Sequence, residues 1–241
     1  MMTAIVAIAV VGAILQGLFI TVEHQKKFVA ADVLKGLAAA CFVAVGTIGF
    51  LTTRNDAKVN TNVDEYGNPT GETIDRGFAH MEGVRHRTAH IWIAREVNGK
   101  WQVLLQKRAQ TKDSFPGRYD TSSAGHIQAG DEPLESAIRE LEEELGITAS
   151  PEELKYAGTF NIKYEKEFHN KLFKDNEIAF VYVYLGEIDI DDITVQEEEL
   201  ECVEWFDLEE TYNECLVHNQ KFCVPVKGLE TARQYLQSMN K

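Results

Sequence analysis

The chain has 241 residues, 44% hydrophobic and 26% charged, enough for one ordinary domain with an appendage and unlike a disordered or fibrous composition. A formal net charge of -14 argues against a nucleic-acid backbone as the main partner, because binding a phosphate chain needs a basic face. A small phosphorylated ligand remains compatible with it, since bound cations reverse the local field of an acidic site. Cys41, Cys202, Cys215 and Cys223 include no C-x-x-C pair and read as free thiols of a reducing compartment.

Residues 3–22 carry no charge, and neither do residues 36–53; the polar connection "EHQKKFVAADVLK" separates them. Runs of about 20 apolar residues match the thickness of a hydrocarbon core. Residues 1–55 are therefore expected to form a hydrophobic two-helix hairpin, a membrane anchor through residues 3–53. The alternative is a buried helical pair. A cleaved signal peptide fits less well, because "MMT" supplies no basic n-region. The polar stretch that follows reads as a linker over residues 56–63, ahead of a domain over residues 64–241.

Within that domain "DEYGNPTG" has turn chemistry, and "AHIWIAREVNGKWQVLLQKR" predicts two strands joined at Asn98-Gly99, a favoured hairpin dipeptide. Pro116-Gly117 marks a further turn. A helix is predicted from Pro133 to Leu145. The segment 163–177 reads as a lid over the site, a surface loop or a helix. "IAFVYVYLG" is a continuous apolar strand of the buried kind, and Pro225 opens a helix running to about Met239. Strands and helices alternate, which predicts an α/β or α+β fold.

The helix at 133–145 carries the chemistry. Leu134, Ile138, Leu141 and Leu145 form one stripe, with spacings of four, three and four that suit a core-facing side. Glu140, Glu143 and Glu144 are related by i, i+3 and i+4, so their carboxylates are neighbours on the other side. Three converging carboxylates repel unless a cation sits among them, and hard divalent ions such as Mg²⁺ take oxygen ligands of this type. Arg139 adds a fixed charge able to orient one of them. Asp131 is placed to cap the helix, and Gly146 to end it. Gly125 and Gly130 make a loop that allows close backbone approach.

"GHIQAGDEPLESAIRELEEELGI", residues 125–147, resembles the Nudix box: G, five residues, E, seven residues, then R-E-U-x-E-E-x-G-U with U apolar. Gly125, Arg139, Glu140, Leu141, Glu143, Glu144, Gly146 and Ile147 fall in register. Asp131 stands where the family usually has Glu, which keeps the charge but shortens its reach. The resemblance implies a Nudix-type α/β/α sandwich with a mixed sheet. It also implies Mg²⁺- or Mn²⁺-dependent hydrolysis of a diphosphate linkage in a small molecule, with Glu140, Glu143 and Glu144 as metal ligands and Arg139 orienting them.

"LLQKRAQTKDSFPGRYDTSSAGH" is similar to the branch of that family that includes isopentenyl-diphosphate isomerase. The similarity implies that Arg108 and Lys112 hold a diphosphate, that His90 and His126 match two metal-binding histidines, and that Asp175 and Glu177 match paired acids. The isomerase has a cysteine where this chain has Ala124, and it has lost several box glutamates that this chain keeps. Both differences favour a hydrolase. Glu177, ahead of a buried strand, is a general-base candidate with an expected raised pKa; Glu198 and Glu199 are its rivals.

Three functions compete at this level: a membrane-tethered diphosphate hydrolase, an isopentenyl-diphosphate isomerase-like enzyme, and a non-catalytic metabolite sensor. Lys26, Lys27 and Lys35 lean the positive-inside count towards a cytoplasmic connection between the two apolar runs. The need for magnesium and phosphorylated metabolites argues the other way, and the catalytic domain is expected in the cytoplasm. Phe160, Tyr164, Phe168 and Phe173 are expected either in a substrate pocket or in the core.

Overall fold

The computed structural model describes residues 59–239. The expected hydrophobic hairpin and membrane anchor lie outside the described residues. Among those described, no helix is long and apolar enough to cross a membrane.

The expected linker ends early. Val59–Val63 is a strand, β1, paired antiparallel with β2 (Pro69–Asp75) from Val59 opposite Asp75. Its polar composition disguised it, yet Asn60 and Thr61 are buried. Two long-range backbone bonds seat the strand: Ala129 N–H to Val59 C=O at 2.9 Å, and Val63 N–H to Arg85 C=O at 3.1 Å. The intervening turn follows its sequence, with Asp64 Oδ1 accepting from the amides of Tyr66 (2.8 Å) and Asn68 (2.9 Å). Asp75 then caps α1 (Arg76–Glu82) through the amides of Gly77 and Phe78.

A seven-stranded mixed sheet forms the centre: β3 (His86–Val97), β4 (Lys100–Arg108), β5 (Tyr119–Asp120), β6 (Ser123–His126), β7 (Leu154–Phe168), β8 (Lys171–Tyr184) and β9 (Leu200–Asp207). β3 and β8 run parallel; the other pairings are antiparallel. Asn98 and Gly99 join β3 to β4 with φ of 52° and 75°, the double left-handed turn that suits the sheet twist.

One face of the sheet is covered by α2 (Pro133–Leu145), whose Ala137, Leu141 and Leu145 pack with Ile91, Ile93 and Leu104. The other is covered by α3 (Leu208–Leu216) and α4 (Val226–Met239), which bury Leu208, Leu229, Ala232 and Leu236 against Trp92, Val103 and Val181. The expected α/β/α sandwich is thus present, with a mixed sheet. β8 reads as a continuous apolar run because both its faces are covered.

Residues 163–177 are neither helix nor open loop. They belong to a long hairpin in which β7 and β8 pair down to Phe168 opposite Lys171, with His169 and Asn170 turning at φ of 49° and 60°. Alternating exposed charges and aromatics in this stretch are the pattern of a ribbon with one wet face. Because β8 meets β3 only from Glu177 onward, the hairpin end extends past the sheet as a two-stranded arm.

Candidate active site

The acidic helix lies against β6. The backbone of Gly125 passes so close under Glu140 that a Cβ at position 125 would overlap the Glu140 carboxylate. The first glycine of the motif is therefore set by this approach rather than by an unusual φ. Gly146 ends α2 in the left-handed conformation, φ 67°, as expected.

Asp131 does not cap the helix. The N-cap is Glu132, without a side-chain bond, and Asp131 instead takes the Arg139 guanidinium, Nη1 to Oδ2 at 2.6 Å. The short aspartate thus does reach. Arg139 also donates through Nη2 to His126 C=O (3.3 Å) and to Glu140 Oε1 (3.4 Å), and its Nε lies 4.0 Å from Glu143 Oε1. One planar cation so ties loop, strand and helix together.

The three glutamates do not share one wet face. Glu143 is exposed, Glu140 is half-buried, and Glu144 turns inward to 7% exposure, where its Oε2 accepts from the Ala124 amide at 3.3 Å. Burial, reinforced by the charges of Glu140 and Glu199, pushes the Glu144 carboxyl up to about 8. Burial also raises Glu140, with Glu143 adding to it and Arg139 opposing. Carboxylates brought into low dielectric beside one another suit a hard divalent cation, and this donor set fits Mg²⁺ or Mn²⁺.

A second cluster lies on the other side of β6. His80 comes from α1, His86 and Thr88 from β3, His126 from β6 and Glu177 from β8; His86 and Glu177 are partners in the parallel register. Ligand atoms of His80, His86, His126 and Glu177 lie within 4.8 Å of one another. His80 Nε2 is 3.0 Å from His126 Nε2, while Glu177 Oε1 is 3.5 Å from His86 Nε2 and 3.8 Å from His126 Nε2. Thr88 Oγ1 donates to Glu177 Oε2 at 2.9 Å.

The cluster carries the marks of a metal centre. His86 Nδ1 faces the Val84 carbonyl at 2.9 Å, which places a proton on that nitrogen, and its Nε2 is turned to the Glu177 carboxylate. His80 Nδ1, His86 Nε2 and Asp175 Oδ1 are buried without a hydrogen-bond partner. Burial, then the charge of His86, lowers His80 to about 4, and burial with the Arg76 charge lowers His126 well below its ordinary value. Imidazole nitrogens gathered around a carboxylate suit Zn²⁺, Mn²⁺ or Fe²⁺ better than Mg²⁺.

Glu177 differs from expectation. Burial opposes its charge, but the surrounding imidazoles, His86 first at 3.5 Å, outweigh it and hold the carboxyl below the usual range. Its neighbour Asp175 takes the opposite shift: burial and the Glu177 charge push it up to about 8. His90 stays out of the cluster, with its ring edge-on to Phe160 at 5.4 Å in the core. His80 and His86 take the place expected of it. No local signal marked them, since they gain meaning only when α1 and β3 meet β8.

The expected anion-binding residues are engaged within the protein. Arg108 donates from Nε to Ser114 C=O (2.9 Å), from Nη2 to Ser114 Oγ (3.0 Å) and from Nη1 to Asp120 Oδ2 (3.3 Å), closing the 109–117 loop. Lys112, on that loop, pairs with Glu199. Of the four aromatics, Phe160 is core, Phe173 stacks on His80 at 4.3 Å, Phe168 meets Phe115 edge-on at 5.1 Å, and Tyr164 lies 6.3 Å from Phe173.

A glutamate-bearing helix laid on a glycine strand, inside an α/β/α sandwich, is the arrangement that the motif at residues 125–147 leads one to expect. Residues 84–222 match the NUDIX domain model, more than half the chain, and the chain belongs to the Nudix family. It is 41% identical over 149 residues to "Nudix hydrolase 3" of Arabidopsis thaliana, a match covering 61% of this chain and 19% of that protein. It is 38% identical over 125 residues to an uncharacterized Nudix hydrolase of Clostridium acetobutylicum, covering 52% of this chain and 58% of that one. The chain thus spans less than two thirds of either relative. The crystal structure of DR0079 from Deinococcus radiodurans superposes with a TM-score of 0.54 at 16% identity, over 73% of this chain and 98% of that one; this shows the fold.

Proposed function

We propose that this protein is a divalent-cation-dependent hydrolase that cleaves the diphosphate linkage of a small organic or nucleotide diphosphate. The observation that carries the reading is the inward-turned Glu144 beside Glu140, with Gly125 cleared of side chain beneath them. A buried carboxylate beside a half-buried one costs stability unless a cation is held there. Glu140, Glu143 and Glu144 would hold Mg²⁺ or Mn²⁺. When bound, such an ion neutralises the diphosphate, polarises phosphorus and acidifies water. Arg139 keeps Glu140 and the Asp131 loop in register. Glu199 is the favoured general base, because Glu177 is enclosed by imidazoles and serves better as a ligand of the second centre.

The second centre favours kinship with the isopentenyl-diphosphate isomerase-like branch, while Ala124 in place of its cysteine and the retained box glutamates favour hydrolysis over isomerisation. The membrane anchor at residues 3–53 and a cytoplasmic catalytic domain complete the proposal; both rest on the sequence. The test is ³¹P NMR of the full chain with Mg²⁺ and a panel of isopentenyl diphosphate, nucleoside diphosphates and ADP-ribose. New monophosphate or phosphate signals that vanish with EDTA are expected. Unchanged spectra across the panel, with bound ligand, would instead support a sensor.

A further inference from the structure

Lys112 and Glu199 sit at the junction between the basic loop and the acidic helix. The Lys112 ammonium pairs with Glu199 Oε2, with 23% and 34% of the two side chains exposed. The backbone holds the same junction, since Ala109 N–H donates to Glu199 C=O at 2.9 Å and Lys112 N–H to Ala109 C=O at 3.1 Å. On its other side, the segment carrying Glu199 is sewn to the end of α2. Thr194 N–H bonds Leu145 C=O (3.2 Å), Gln196 N–H bonds Glu144 C=O (2.9 Å), and Glu199 N–H bonds Gln196 C=O (2.8 Å). Glu199 is close enough for its charge to be among those that raise Glu144.

Arg108 and Lys112 therefore differ in kind. Arg108 has its guanidinium committed to Ser114 and Asp120, contacts that shape the loop. Lys112 is a flexible point charge held by one part-exposed carboxylate, a contact that an anion of higher charge readily displaces.

Resting on the hydrolase reading above, we propose that Lys112 and Glu199 form an exchange pair. A diphosphate entering the site takes Lys112, and the released Glu199 turns its charge towards the cation at the acidic helix. Glu199 is then free of its ammonium partner only when substrate is present, which couples its availability as a base to occupancy. Substrate selectivity follows as well: a monoanion competes less well for Lys112 than a diphosphate does.

The test is calorimetry on the full chain with two separate probes, Mg²⁺ alone and methylenediphosphonate without metal. Mg²⁺ reads the acidic helix because it disfavours imidazole ligands. Lys112→Gln is expected to tighten Mg²⁺ binding about two- to fivefold, the range of a part-exposed ion pair, and this gain should vanish in the Glu199→Gln background. Glu199→Gln is expected to tighten methylenediphosphonate binding by a similar factor. A gain that persists in the Glu199→Gln background would reduce Lys112 to a long-range field and overturn the exchange. No change in either affinity would overturn it too. Absence of any Mg²⁺ binding by the unaltered chain would instead sink the hydrolase reading on which it rests.

Discussion

The two clusters flanking β6 differ in how they are built. The acidic centre comes from one contiguous stretch, with Gly125 on a strand and Glu140, Glu143 and Glu144 on the helix that follows. The imidazole centre comes from α1, β3, β6 and β8, with residues as far apart as His80 and Glu177. The first offers hard oxygens partly open to solvent; the second offers nitrogen lone pairs enclosed by protein. They share a seam, because Arg139 bonds both Glu140 and the carbonyl of His126. The difference teaches that one domain presents a site suited to an exchangeable, substrate-carrying ion next to one suited to a resident transition metal.

The sharpest way to break this comparison is to neutralise the acidic centre alone. Glu144→Gln is expected to lower turnover by on the order of 10³ while leaving Zn²⁺ content unchanged, checked by steady-state kinetics and metal analysis. Gly125→Ala should follow at on the order of 10², since the new methyl displaces the Glu140 carboxylate from its place. If that variant turned over normally, the close approach would have no functional meaning.

On the other side, His86→Ala should weaken Zn²⁺ or Mn²⁺ binding at the imidazole centre at least about tenfold, while Mg²⁺ affinity at the helix changes by less than about twofold. Loss of both together would merge the two centres into one.

The smallest effect is on stability. Glu144 has an ordinary value of 4.5 and a folded value near 8, so folding takes up a proton between those values. Its contribution is favourable at low pH and is lost as pH rises towards 8. Metal-free protein in EDTA should therefore melt lower at pH 8 than at pH 6.5, by a few degrees. Asp175 contributes with the same sign, so Glu144→Gln should remove only part of the slope. A melting temperature rising over that interval would contradict the burial of Glu144.

What the sequence revealed and what it hid follow the same division. Local signals were readable: Asn98-Gly99 makes its hairpin, Pro133 to Leu145 makes its helix, and the register of Arg139 with Glu140 gives their contact. Whatever depended on distant packing was not. Glu144 looked solvent-facing beside Glu143 until β6 came to lie against it. Glu177 was expected to be pushed up by burial, and the imidazoles that hold it ionised arrive from other elements. Val59 to Val63 looked like linker because Asn60 and Thr61 are polar, although both are buried. His90 drew attention as the match to a metal-binding histidine of the isomerase-like branch, and its ring lies edge-on to Phe160 in the core. His80 and His86 drew none.

The most direct measurement of the central claim is ³¹P NMR of the reaction run in ¹⁸O-enriched water with Mg²⁺ and any member of the panel that turns over. Hydrolysis at the acidic helix predicts one ¹⁸O atom incorporated into a product phosphate, with the signal absent in Glu144→Gln. Turnover of a diphosphate without any ¹⁸O incorporation, or incorporation undiminished in Glu144→Gln, would contradict it.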